Sequence, residues 1–226
     1  TPMIGMVGLI EDAARRVTQD FKAAKDVIVL LGSPAASLAG SEYLRLIHKQ
    51  KKGDPSIDIE FEKEVQAACQ EAIREGLVKS AHDVSEGGLA ICLAESCISN
   101  PNNMFGARVE LGGLGSSVGR LDVTLFGESP SRIMVTVDPA NLGRFETIAS
   151  RYAVPCLKLG TVEGERLVIT NQGSSVVDLP VRDLSDTWRG SIPIRAGLPA
   201  PLSAGGGEKM KTLYNEIQSY INQHWD

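Results

Sequence analysis

The stretch Lys79-Ser80-Ala81-His82-Asp83-Val84-Ser85-Glu86-Gly87-Gly88-Leu89-Ala90 constrains this chain's fold more than any other. A strand-like run ends in a carboxylate, passes through Ser85-Glu86-Gly87-Gly88, and enters an apolar helix that continues to about Ile98. A strand feeding a helix through two glycines puts an acid and free backbone N–H groups at one point. A metal ion or a phosphate can sit there.

The segments around it alternate in the same way. Asp26 to Gly32 predicts a buried strand that ends in a Gly-Ser-Pro turn, and Ser41 to Lys49 fits a helix. Ile59 to Gly76 is the strongest helix, with Val65, Ala68, Cys69, Ala72 and Ile73 on one stripe and Gly76 as its stop. Strands are expected at Val78–Val84, Ala107–Leu111, Ser131–Val137 and Val176–Leu179, with helices from Glu86, over Asn141 to Tyr152 and over Val181 to Trp188. Val154–Val162 and Arg166–Thr170 read as a strand pair joined by Glu163-Gly164-Glu165, a hairpin signal. Met3 to Leu9 reads as a glycine-punctuated strand, and Glu11 to Phe21 is open between helix and strand. The class is therefore α/β or α+β. It is not a doubly wound nucleotide fold, because no glycine fingerprint closes the first strand.

Composition narrows the partners. The 226 residues are 42% hydrophobic and carry a net charge of −5, which argues against a nucleic-acid or anionic membrane surface. No apolar run approaches the roughly 20 residues of a spanning helix. Cys69, Cys92, Cys97 and Cys156 form no C-x-x-C pair, so reduced, mostly buried thiols of a cytoplasmic protein are expected. The Gly112–Ser117 loop lacks the Lys-Ser/Thr of a P-loop and reads as a turn. Lys49 to Gly53 reads as a solvated helix end. The start at Thr1 in front of an apolar run suggests one domain of a longer polypeptide, expected over residues 1–195. A Pro/Gly-rich linker at 196–207 and an amphipathic helix at 208–226 complete the expected organisation.

Two groups can carry chemistry. Asp83, where strand meets turn, is either a ligand for a hard cation such as Mg²⁺ or, like Ser85, a helix cap. His82 is either an acid/base group or a buried, hydrogen-bonded histidine facing away from Asp83. Glu86 at the first helical position favours the helix dipole, and Gly87 and Gly88 allow close backbone approach. The second group is Gly127-Glu128-Ser129-Pro130-Ser131-Arg132, in which two hydroxyls and a guanidinium could hold a phosphate or an amide. It could equally be an ordinary turn with a surface arginine.

In order along the chain, Thr1 to Asp12, Ser80 to Ala90 with Ala94-Glu95-Ser96, Phe126 to Arg132 and Trp188-Arg189-Gly190-Ser191-Ile192-Pro193 resemble phosphoribosylformylglycinamidine synthase. The resemblance implies the second domain of that enzyme's C-terminal half, an AIR-synthetase-type C-terminal domain with α-β-α layers around a mixed sheet. Aminoimidazole ribonucleotide synthetase, selenophosphate synthetase, thiamine-monophosphate kinase and a hydrogenase maturation protein share that fold. It implies Mg²⁺ and ATP or ADP in the full enzyme, and as partners the remaining synthase domains and a glutaminase subunit or domain.

By the same resemblance Asp83 takes a metal role, and Ser85, Gly87, Gly88, Glu128, Ser129 and Arg132 a nucleotide or substrate role. The family's other half carries a substrate-contacting glutamine where this chain has Leu30, and an amide where it has Pro130. Both departures imply that this copy lies beside a non-catalytic nucleotide site. No catalytic residue is expected, and the isolated chain is expected to lack synthase activity.

Overall fold

The computed structural model describes residues 5, 7–10, 12–112, 114 and 120–195. The expected linker at 196–207 and helix at 208–226 lie outside them, as does most of the Gly112–Ser117 loop.

The centre of the fold is β1 (Val27–Gly32), buried at every position. Its continuous apolar run leaves no polar face, so both sides must be covered. Val27, Val29 and Leu31 pack with α2 (Ile59–Arg74) and α5 (Leu142–Arg151), through Val65, Ala68, Phe145 and Ile148. Ile28 and Leu30 pack on the other side with α3 (Gly88–Ile98) and α4 (Leu121–Phe126), through Leu89, Leu93 and Leu125. The closing helix α6 (Val181–Arg195) joins that second layer through Val181 and Leu184. The short α1 (Glu42–Leu46) contributes Tyr43, stacked on Phe126 with ring centroids 4.8 Å apart. The expected α-β-α layering is present.

The sheet is mixed and seven-stranded. With β2 (Val78–Asp83), β3 (Ala107–Glu110), β4 (Arg132–Val137), β5 (Cys156–Val162), β6 (Arg166–Asn171) and β7 (Ser174–Pro180), its order is β2-β4-β1-β5-β3-β6-β7. The β3–β6 pair is parallel and the other neighbouring pairs are antiparallel.

The expected β5–β6 hairpin does not form, because β3 inserts between the two strands. Gly106 makes room for the crossing. Its N–H donates to Gly164 O at 2.7 Å, Glu163 N–H donates back to Gly106 O at 3.0 Å, and a Cβ there would lie 2.4 Å from Arg166 O. The hairpin that does form joins β6 to β7. Gln172 and Gly173 both have positive φ (51° and 78°), as a two-residue type I′ turn requires.

The long amphipathic helix matches its sequence signal closely. Asp58 accepts from the N–H groups of Glu60 and Phe61, both at 3.1 Å, and Gly76 at φ 69° ends the helix. Of the expected amino-terminal strand, Met3, Ile4 and Met6 lie outside the described residues, and the described part is a correction: Val7 and Leu9 have no regular structure and are fully exposed. Glu11 also lies outside, and residues 12–21 form a 3₁₀ turn (Ala13–Arg15) followed by a single parallel bridge from Thr18 to Ser80. No sheet neighbour within the described residues covers the segment, so its apolar pattern has nothing to bury against. Helix α4 carried no recognised sequence signal. Cys69, Cys92 and Cys97 are free and buried, and Cys156 is free and half-buried.

Leu30 is fully buried on the α3 side of the central strand, where it acts as a packing residue. Leu30→Gln should therefore cost about 3 kcal/mol or more, from lost apolar burial and an unpaired amide in the core. Urea unfolding checks this, and a loss below 1 kcal/mol would mean that the site can host a polar group.

Candidate functional site

The corner after β2 is assembled from three separate pieces of chain. β2 is an edge strand whose last residue, Asp83, pairs with Ile133, and Val84 N–H then donates to Arg132 O at 3.0 Å. Val84 is buried, whereas Ser85 and Glu86 are exposed. The chain turns through Gly87 and Gly88, both at positive φ (83° and 67°). A Cβ on Gly88 would sit 2.7 to 2.8 Å from the backbone of Leu125 and Phe126, so glycine lets the end of α4 close on the start of α3. Helix α3 begins at Gly88, two residues later than the position expected for Glu86.

Neither Asp83 nor Ser85 caps α3, whose N-cap Gly87 receives no side-chain cap from its own neighbourhood. Glu128 acts there instead. One of its carboxylate oxygens, Oε1, accepts the Gly87 N–H at 2.8 Å and the Glu42 N–H of α1 at 2.9 Å, while its own N–H donates to Ser37 O at 3.0 Å. A single oxygen thus joins the starts of two helices to the turn between α4 and β4, satisfying amides that would otherwise be orphaned.

The rest of that turn is tightly set. Gly32, at φ 108°, could carry no side chain, because a Cβ would fall 2.0 Å from Ser131 O. Ser131 takes a left-handed conformation (φ 62°), unusual for a residue with a side chain, and its carbonyl accepts from Ser33 N–H. Ser129 and Pro130 are half-buried. Arg132, read from the sequence as a ligand-binding or surface arginine, is only 3% exposed. Its Nη1 donates to Gly127 O at 3.1 Å. Burial lowers its pKa to about 10, which leaves it charged at neutral pH.

His82 is half-buried and hydrogen-bonded, and its ring reaches Asp83 instead of facing away from it. Its Nε2 lies 2.8 Å from Glu95 Oε2 on α3, and its Nδ1 lies 3.3 Å from Asp83 Oδ1. The Glu95 hydrogen bond raises its pKa above the ordinary histidine value, and the charges of Glu95 and Asp83 reinforce this against burial. For Asp83, burial pushes upward, but hydrogen bonds from Ser85, its own backbone and His82 hold the carboxyl below the usual range. The Asp83 side chain remains 73% exposed. Glu95 falls within the Ala94-Glu95-Ser96 motif, but its pairing with His82 is not legible along the chain, because contact between strand and following helix depends on how the helix lies on the sheet.

Among the described residues no three His, Cys, Asp or Glu side chains gather to hold a metal. Asp83 fits Mg²⁺ as one oxygen ligand of an ion that arrives with phosphates, not as part of a protein cage. A cleft of about 630 Å³ opens beside it, lined by Val17–Asp20, Ala81–Asp83, Cys69, Ser99 and Ile133.

This fold has counterparts among known proteins. The family model for "AIR synthase related protein, C-terminal domain" matches residues 23–170. The chain belongs to this family. It is 44% identical over 193 residues to phosphoribosylformylglycinamidine synthase subunit PurL of Thermoanaerobacter sp. (strain X514), covering 85% of this chain and 25% of that protein. It is 42% identical over 197 residues to the subunit of the same name from Anaeromyxobacter dehalogenans (strain 2CP-1 / ATCC BAA-258), with the same coverage. The domain thus spans about a quarter of the length of these curated relatives. Among solved structures, T. maritima PurL complexed with FGAR aligns with a TM-score of 0.65 at 24% identity, over 76% of this chain and 30% of that one. E. coli HypE, a hydrogenase maturation protein, aligns at 0.52 and 13% identity, over 73% and 51%. At these identities the structural likeness establishes the fold.

Two outcomes follow from the corner's geometry. Glu128→Ala strips two helix starts of their acceptor and should lower stability by about 1–3 kcal/mol, read as a drop in melting temperature. His82 has a raised folded pKa, so its stabilising contribution is complete below the unfolded value of about 6.5 and fades as pH rises through the folded pKa. The stability of the chain relative to His82→Gln should therefore shrink from pH 6 upward. A difference independent of pH would contradict the Glu95 pairing.

Proposed function

We propose that this chain serves as the C-terminal domain of the second half of a phosphoribosylformylglycinamidine synthase, within a longer polypeptide. The observation that carries the reading is the 44% identity to a PurL subunit over 85% of the chain. The whole enzyme, an ATP-dependent cytoplasmic ligase of purine biosynthesis, converts formylglycinamide ribonucleotide, glutamine and ATP to formylglycinamidine ribonucleotide, glutamate, ADP and phosphate. Ammonia would come from a glutaminase subunit or domain. The other partners are the remaining synthase domains.

In this reading the Asp83–Gly88 corner faces a nucleotide. Asp83 offers one carboxylate to Mg²⁺, which when bound would neutralise phosphate charge. Ser85 and His82 hold that carboxylate ionised, and Glu128 fixes the turn that presents it. Two features favour a supporting rather than a catalytic role: Leu30 is wholly committed to the core, and Pro130 has no amide to offer. The domain then stabilises an auxiliary nucleotide site while the chemistry belongs to the other half.

Asp83→Asn in the full-length synthase separates the roles. A supporting ligand should leave turnover within about tenfold while weakening nucleotide retention. A fall of several orders of magnitude, the scale of lost transition-state stabilisation, would make the corner catalytic.

A further inference from the structure

The inner face of α6 is covered at its start and bare at Trp188. Val181, Leu184, Ser185 and Trp188 fall at i, i+3, i+4 and i+7, which is one face of a helix. Val181 is 3% and Ser185 6% exposed, and Leu184 packs against the core. Trp188, a turn further along the same face, is 58% exposed.

The turn that carries Trp188 is held in place. Arg189 donates from Nη2 to the carbonyl of Ile98, the last residue of α3, at 2.8 Å, and from Nε to Ser185 Oγ at 3.1 Å. Its guanidinium lies 5.6 Å from the centre of the Trp188 ring. An indole mounted on the face that the rest of the helix buries is an unfilled packing position, which distinguishes it from a scattered surface residue.

The chain itself supplies a segment of matching chemistry. Residues 208–226, the expected amphipathic helix, carry Leu213, Ile217, Tyr220 and Ile221 at i, i+4, i+7 and i+8. A lone helix of that length is marginal in water until its apolar face is covered. A stretch as long as residues 196–207 reaches at most about 40 Å, and Trp188 lies only about 10 Å back along α6 from Arg195. A segment tethered within such reach acts at an effective concentration of about 1 mM. A contact centred on one tryptophan is far smaller than the roughly 1,200 Å² that holds separate molecules together. It suits a tethered segment, not a second copy or a free partner.

We propose that residues 208–226 fold back as a helix onto the Trp188 face of α6, with the Leu213, Ile217 and Ile221 row against the indole. The segment then completes the helical layer that α3 and α6 begin.

Trp188 and Trp225 are the two tryptophans of the chain, so Trp225→Phe leaves Trp188 as the only indole emitter. The test is acrylamide quenching of Trp188 fluorescence in the full chain carrying Trp225→Phe. With the segment at about millimolar effective concentration, the quenching constant should be about threefold or more below that of the same chain with Ile217→Asp. Leu213→Asp, a turn earlier on the same face, should restore quenching as Ile217→Asp does. Asn215→Asp, which adds the same charge on the opposite face, should leave the protection intact. Equal quenching with the native segment and with Ile217→Asp would overturn the proposal, as would loss of protection in Asn215→Asp. Protection that rises with protein concentration alongside a dimer mass in sedimentation would overturn it in favour of a second copy. The Asp substitutions lie beyond α6, so the described domain remains folded in each variant, and a far-UV spectrum checks this.

Discussion

Complete burial of β1 on both faces is the constraint on which the other elements depend. A strand with no polar face has to lie inside a sheet, and that sheet has to carry helices on each side. Val29 and Leu31 require α2 and α5, while Ile28 and Leu30 require α3 and α4. Once those layers are in place, the ends of β1, β2 and β4 converge, and the turns that follow or precede them are forced into contact. The corner at Asp83 exists because Gly32, Asp83 and Arg132 end or begin adjacent strands.

That convergence concentrates charge and backbone amides in little space, and Glu128 manages most of it. Its oxygen bridges the starts of α1 and α3, and its backbone N–H ties the same turn to Ser37. The glycines at 32, 87 and 88 are what such crowding demands, since side chains there would overlap neighbouring backbone or side-chain atoms. Asp83 is left exposed at the rim with its charge maintained by Ser85 and His82, and Arg132 is buried at the start of β4.

Much of the architecture was legible along the chain where the signal was local. The stripe of Val65, Ala68, Cys69 and Ala72 identified α2, and the unbroken apolar run identified β1, because each depends only on period and burial. Glu163-Gly164-Glu165 misled, since a turn signal cannot report that β3, from more than fifty residues upstream, will take the place between the strands it joins. Val7 and Leu9 misled for a related reason: an apolar alternation says that a segment seeks a sheet, not which sheet.

By itself, the sequence determined the alternation of strands and helices, the buried central strand, and the residues gathered at the corner, with family kinship visible in His82–Gly88 and Gly127–Arg132. Those properties reside in local period, turn chemistry and motif order. Only the tertiary structure decided that Glu128 caps two helices, that His82 answers to Glu95, and that Arg132 lies buried. Each of these depends on groups brought together from distant positions, and the free energy of burying a charge or satisfying an amide is set by that neighbourhood rather than by the residues next in line.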